Sequence, residues 1–309
     1  MIRRALLVVA AALIAALALP PLWYAVFPEP APELPPAGRR VEIAPGIGVN
    51  VIEAGTGLPV VLVHGHPGSA YDWGALAREL GTRGRRVLAY DRLGYGHSDA
   101  RGNGAFTVES NARELRALLD AEDLRDVVLV GWSYGGGVAI VATREDPSRV
   151  SHLVLVGSVG TGVEDRDAPP RLVMELMAAF GLPWLARVPP LDRRVRAAFL
   201  AAAFAPEPVA DGALDLMAAN FARPHTLATF TSEGRDLGGE ADLDPGAIAR
   251  PILVVHGDGD RLVPLAVAEG LHRRARRGEL WVVPGGGHAL PVTRARELAE
   301  RIVAFAESR

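Results

Sequence analysis

Ser133 follows the apolar run DVVLV and stands in Gly131-Trp132-Ser133-Tyr134-Gly135, just ahead of the helical pattern GGVAIVATRE (136–145). A G-x-S-x-G turn between strand and helix lifts a serine hydroxyl out of the sheet. It leaves the hydroxyl at a helix amino terminus, where backbone N–H groups favour developing negative charge. Serine is a weak nucleophile and needs a base. Of the eight histidines, His152 and His256 lie in strand patterns and read as packed. His272 lies on an arginine-rich helix and reads as solvated, and His225 falls in a long insertion. His288 stands apart. It follows the last strand pattern in the loop Pro284-Gly285-Gly286-Gly287-His288, where glycines let a side chain reach back over the sheet edge. A carboxylate should then hold the imidazole tautomer. Both Asp258 and Asp260 leave the strand ILVVHG at its carboxyl end. Two N–H donors for an oxyanion are expected from the amides of Tyr134 and His66, the second in the loop after PVVLVHG; losing one such donor typically costs about 10²–10³ in rate.

These residues need a frame, and the chain supplies a regular one. Probable strands are VEIA (41–44), VNVIEA (49–54), PVVLVHG (59–65), RVLAYD (86–91), DVVLVG (126–131), HLVLVG (152–157), ILVVHG (252–257) and ELWVV (279–283). Several are continuous apolar runs, as parallel strands buried on both faces are. Helical patterns fall between them at 73–80, 108–121, 136–145, 264–276 and 293–307. The alternation predicts a doubly wound, mostly parallel, eight-stranded α/β sheet. One connection of about ninety residues, from near Gly157 to Ile252, breaks the rhythm, too long to be a bare loop. Its segments RLVMELMAAFGLPWLA, RRVRAAFLAAAF and PVADGALDLMAANF read as helices. They predict a helical cap at about 158–250 over the sheet's carboxyl edge, where ligands bind in open α/β sheets. Met174, Met177, Phe180, Leu182, Trp184, Phe199, Phe204, Met217 and Phe221 of this cap, with Trp73 and Trp132 near the motifs, are either core or an apolar substrate pocket.

Composition narrows the chemistry. The chain has 309 residues, 49% hydrophobic and 22% charged, enough for one large core. A net charge of −3 gives no electrostatic reason for a nucleic-acid partner. Every basic residue is arginine, so a Schiff-base lysine and a Walker-A lysine are excluded. There is no cysteine, which removes thiol nucleophiles, thiolate zinc ligands and disulfides. No motif specifies an oligomeric state.

Residues 1–27 read as a segment separate from the fold. Arg3 and Arg4 precede an apolar stretch that continues to Phe27, interrupted by Pro20-Pro21. As an uncleaved anchor, residues 5–27 reach the roughly 20 residues that a bilayer needs. As a cleaved signal, the segment offers a small-x-small site at Ala16-Leu17-Ala18. The anchor reading is preferred, with the hydrolytic residues on the extracytoplasmic side of a cell membrane; the alternative is a secreted or periplasmic chain. Residues 28–40 are proline-rich and read as a linker, leaving 41–309 as the folded domain.

Four motifs in order resemble the α/β-hydrolase superfamily over roughly 41–309. HGHPGSAYDW (64–73) resembles its HG-x-P-x5-W loop, YDRLGYGHSDA (90–100) its D-x-x-G-x-G-x-S segment, VVHGDGDRLVP (254–264) its G-x-x-D-x-x-V-P acid loop, and GGGH (285–288) its histidine loop. The resemblance implies Asp260 as the acid and the triad Ser133, Asp260 and His288. Epoxide hydrolases and haloalkane dehalogenases share the HG-x-P loop but use an aspartate nucleophile. The cap here has no tyrosine, and Tyr134 stands where dehalogenases carry a halide-binding tryptophan. Carbon–carbon hydrolases of aromatic-ring degradation usually have a more glycine-rich oxyanion loop. What the resemblance then implies is hydrolysis of an apolar small-molecule ester through an acyl-enzyme, with no metal or organic cofactor. A cofactor-free haloperoxidase or perhydrolase has the same triad. A receptor that uses the pocket without turnover is the reading from another class.

Overall fold

The computed structural model describes residues 18–27, 30–100, 106–160, 188–237 and 242–308. Eight strands form a single sheet: β1 (Arg39–Ala44), β2 (Ile47–Ala54), β3 (Leu58–Val63), β4 (Arg85–Tyr90), β5 (Val127–Trp132), β6 (Val150–Val156), β7 (Ile252–Gly257) and β8 (Gly278–Val283). Their spatial order is β1-β2-β4-β3-β5-β6-β7-β8. β2 pairs antiparallel with both β1 and β4, and every pair from β4 to β8 is parallel. The expected doubly wound, mostly parallel sheet is therefore observed. β1 and β2 each start two residues earlier than their apolar patterns, because polar Arg39 and Arg40 at the sheet edge still join the ladder opposite Val51 and Asn50.

Two apolar layers flank the sheet. Helices α2 (Val108–Ala121), α3 (Tyr134–Glu145) and α7 (Leu265–Arg274) cover one face, burying Leu115, Ile140 and Leu271 against Val61, Leu129 and Val254. Helices α1 (Gly74–Gly81), α8 (Leu290–Thr293) and α9 (Ala295–Glu307) cover the other, where Leu76, Leu80, Ile302 and Phe305 meet Leu62, Val130 and Val154. A central strand such as VVLV is apolar at consecutive positions because its alternate side chains enter opposite layers.

Between β6 and β7 the chain forms α4 (Pro189–Phe204), α5 (Ala213–Phe221) and α6 (Thr226–Leu237). The first two match expected cap helices; α5 starts only at Ala213 because Gly212, at φ 77°, caps it. The expected helix over 171–186, with Met174, Met177, Phe180, Leu182 and Trp184, lies outside the described residues. α6 was not expected. Its segment TLATFTSEGRDL holds three threonines and a glycine, poor helix formers, and its inward stripe of Thr226, Thr229 and Glu233 is polar, so no apolar period marks it.

No helix among the described residues is long and apolar enough to cross a membrane. This overturns the expectation of a single N-terminal anchor over 5–27 and the membrane location attached to it. The proline-rich segment that follows lies against the domain: the Tyr71 hydroxyl donates to the Pro36 carbonyl at 2.8 Å, and His97 Nε2 lies 2.8 Å from the Pro35 carbonyl.

Candidate active site

Ser133 links β5 to α3 with φ 55° and ψ −121°, a backbone conformation that a non-glycine residue rarely adopts. Its N–H donates to the Val156 carbonyl on the neighbouring strand (3.0 Å), and its own carbonyl accepts from Gly136 (2.9 Å). The turn closes because its flanks are glycine. A Cβ on Gly135 would stand 2.1 Å from the Val63 carbonyl oxygen, and one on Gly131 would stand 2.4 Å from that of Gly135.

His288 and Asp260 come together at the ends of β8 and β7. His288 Nδ1 lies 2.7 Å from Asp260 Oδ2, and both side chains are nearly buried. Asp260 Oδ1 accepts from the Leu262 and Val263 amides at 2.8 and 2.9 Å. Burial pushes this carboxyl upward. The His288 hydrogen bond and charge, with the two amides, outweigh that and hold it below its ordinary value. Asp258 instead accepts from the Gly285 amide (2.7 Å) at the exposed foot of the histidine loop, fastening that loop rather than the imidazole. His256, expected to be packed in its strand, is fully buried, and its Nε2 is 2.9 Å from the Val263 carbonyl and 3.6 Å from Asp260 Oδ2. Burial keeps it neutral by lowering its pKa.

Trp132 and Trp73 diverge. Trp132 lines the cleft and donates from Nε1 to the His288 carbonyl (2.9 Å), its ring centroid 5.8 Å from the imidazole. Trp73, considered as a pocket residue, is wholly buried behind it at 5.8 Å, among Leu62, Leu76 and Leu80. The short turn over Ala70–Trp73 points its indole down into the core, and no part of it lines the cleft.

Facing the serine is the loop His64–Ser69. The Gly65 backbone packs against Ser133, so that a Cβ there would stand 3.0 Å from the serine Cβ. His66 stacks face to face on Phe230 of α6 (4.3 Å, 3°), with Nε2 2.8 Å from the Phe230 carbonyl. The Tyr134 side chain is fully buried away from the cleft, its hydroxyl donating to Asp236 at 3.3 Å. The Tyr134 side chain thus stays out of the cleft, whereas His66 is among the residues that line it.

A buried charge fastens this loop, and no sequence pattern announced it. The Arg92 guanidinium donates to the Gly65 carbonyl (2.9 Å) and, from Nε, to that of His64 (3.2 Å). Its centre lies 4.9 Å from the ring centroids of both Tyr95 and Tyr134. It pairs with both oxygens of Glu233 on α6, which also accepts from the Tyr95 hydroxyl (2.7 Å) and Asn111 (3.1 Å). Burial opposes the charge on Arg92, but Glu233 and the two phenols raise its pKa nonetheless. His64 accepts the Arg92 N–H on Nε2 and is kept neutral by burial and by that guanidinium. Arg92 lies inside the D-x-x-G-x-G-x-S segment at a position the pattern leaves open, and Glu233 lies on the helix that sequence did not reveal.

Between the loops is a small cleft, partly open to solvent, with an accessible volume of about 70 Å³. Phe199, Leu200, Phe204, Leu216 and Met217 of the cap form its apolar roof. Phe221 instead packs edge-on against Phe230. No group of three or more residues able to hold a metal ion occurs among the described residues.

The chain is similar to known proteins over most of its length. The alpha/beta hydrolase fold family matches residues 59–295. The 2-hydroxy-6-oxo-2,4-heptadienoate hydrolase of Pseudomonas putida is 33% identical over 267 residues, covering 83% of this chain and 92% of that protein. A non-heme haloperoxidase of Rhodococcus erythropolis is 32% identical over 266 residues, covering 82% and 94%. Among solved structures, an esterase from Exiguobacterium antarcticum superposes with a TM-score of 0.75 at 23% identity, covering 88% of this chain and all of that one. The chain belongs to the α/β-hydrolase fold family.

Proposed function

We propose that this protein is a serine hydrolase that cleaves carboxylic esters of apolar small molecules through an acyl-enzyme on Ser133, within a domain over 41–309 capped by 158–250. The observation that carries the reading is the Asp260–His288 pair, 2.7 Å apart, opening into the same apolar cleft as a serine on a strained turn. Asp260, ionised and held by two amides, keeps the proton of His288 on Nδ1 and leaves Nε2 free as the base. His288 takes the Ser133 proton as the hydroxyl oxygen attacks the ester carbonyl. The amides of His66 and Tyr134 hold the oxyanion. His288 then protonates the leaving alcohol, water adds to the acyl-enzyme by the same route, and the acid departs.

The experiment is labelling with a fluorophosphonate probe followed by peptide mapping. Label on Ser133, lost in His288→Ala, supports an activated nucleophile. Label elsewhere, or none on folded protein, sinks it and leaves a receptor. Kinship to a haloperoxidase and to a dienoate hydrolase favours two further uses of the same serine, perhydrolysis and carbon–carbon cleavage. Rates with p-nitrophenyl esters, with an ester plus peroxide and bromide, and with the 2-hydroxy-6-oxo dienoate rank the three.

A further inference from the structure

One ionisable side chain in the cleft has no part in the chemistry above. Asp72 precedes Trp73, and the same turn that sends the indole into the core leaves this carboxyl at the cleft wall, beside Gly68 and Ser69. Oδ2 accepts from the Ser69 amide at 2.7 Å. Oδ1 has no hydrogen-bond partner among the described residues.

The surroundings give this carboxylate no counter-charge. Asp91 is close enough to act on it, and Asp91 is itself buried, its oxygens taken by Ala70, His97 and Asn50. His64 and His66 are kept neutral by burial. Arg92, the nearest buried cation of the loop's frame, is matched by Glu233. Burial, with the charge of Asp91 adding to it, pushes the Asp72 carboxyl up to about 7, so it is mostly ionised in mildly alkaline solution. With Ala213 and Leu216, Asp72 also walls a wider outer groove, so a hydrated group can reach it from outside. In that groove Arg39 pairs with Glu53, and Arg78 and Asp211 also line it.

We propose that Asp72 is a specificity-determining residue of the cleft: its free oxygen receives a cationic arm of an otherwise apolar ester and turns away esters that carry a carboxylate. This rests on the esterase reading and deepens it. It also separates this chain from a hydrolase whose substrate, by its name, is a dienoate.

The test uses isosteric esters at pH 8. On the acyl side these are p-nitrophenyl 4-(trimethylammonio)butanoate, its neutral isostere 5,5-dimethylhexanoate, and the glutarate half-ester. On the alcohol side they are choline and 3,3-dimethylbutyl butyrate. At one end or the other, the wild type should favour cation over neutral isostere by about tenfold in kcat/KM, mostly through KM. The glutarate half-ester should be disfavoured. In Asp72→Asn these ratios should shrink to within about threefold. A wild type indifferent to charge at both ends overturns the proposal, and so does an Asp72→Asn enzyme that keeps the wild-type ratios. Asp72→Ser serves if the first variant fails to fold. If no ester turns over, the esterase reading fails instead. Direct binding of alkylboronates of the same three charges, measured by calorimetry, then decides on Asp72, and an affinity order that ignores charge overturns it.

Discussion

The two walls of the cleft are held by opposite means. On the His288 side the fixed charge is local: Asp260 is gripped by amides two and three residues ahead of it, and the imidazole's backbone N–H donates to Ala203 at the end of α4. On the His66 side the fixed charge comes from far away in sequence, as Arg92 holds two carbonyls of the loop and Glu233 of α6 holds Arg92. The wall proposed to move a proton keeps its paired groups, His288 and Asp260, at the cleft. The wall proposed to keep two amides still uses a fully buried ion pair, Arg92 with Glu233. The cap touches both, so docking of the cap is part of assembling either wall.

That contrast can be broken most directly at the acids. Asp260→Asn should lower kcat by about 10⁴ by freeing the wrong imidazole tautomer. Asp258→Asn should stay within a few-fold, and steady-state kinetics on one ester compares them. The braced wall comes next. Glu233→Gln strands a buried guanidinium and should cost about 3–5 kcal/mol in denaturant unfolding. The double variant Arg92→Met with Glu233→Leu should regain most of that stability but not kcat; recovery of both would mean that the ion pair is no brace for the amides.

The walls should also differ in the sign of their pH dependence. Asp260 is held below its ordinary value of 3.8, so its contribution is present above that value and is lost as pH falls through the lower folded value. Asp72 is raised to about 7, so its burial destabilises the fold increasingly as pH climbs from 3.8 towards 7. Asp72→Asn should therefore raise Tm at pH 8 and leave it unchanged near pH 3, measured by thermal scans of both proteins. The smallest effect is expected from Tyr134→Phe, which keeps the amide and loses only the hydroxyl's contact with Asp236. Its kcat should stay within about twofold, with a stability loss of about 1 kcal/mol.

Sequence was most legible where function depends on short-range geometry. Gly131, Ser133 and Gly135 must be neighbours to make their turn, and His288 follows its glycines directly. All eight strands could be read, the central ones because burial on both faces leaves apolar runs. The acid needed the family pattern, since Asp258 and Asp260 differ only in where their loop turns them. Arg92 and Glu233 stayed hidden because their partnership spans the chain and because a polar inward stripe erases the period by which helices are recognised. Asp72 fell at an open position of a motif, and only the fold turns it into the cleft.

The φ of 55° at Ser133 has a further consequence. A residue held there costs on the order of 1–3 kcal/mol in every folded copy, whether or not substrate arrives. Glycine would relieve most of it, so Ser133→Gly should unfold at a higher temperature than Ser133→Ala. Mutation alone would then drift towards glycine at this site once the reaction ceased to matter to the cell. Persistence of serine among this protein's descendants is thus a standing record of selection for turnover, legible without knowing the substrate.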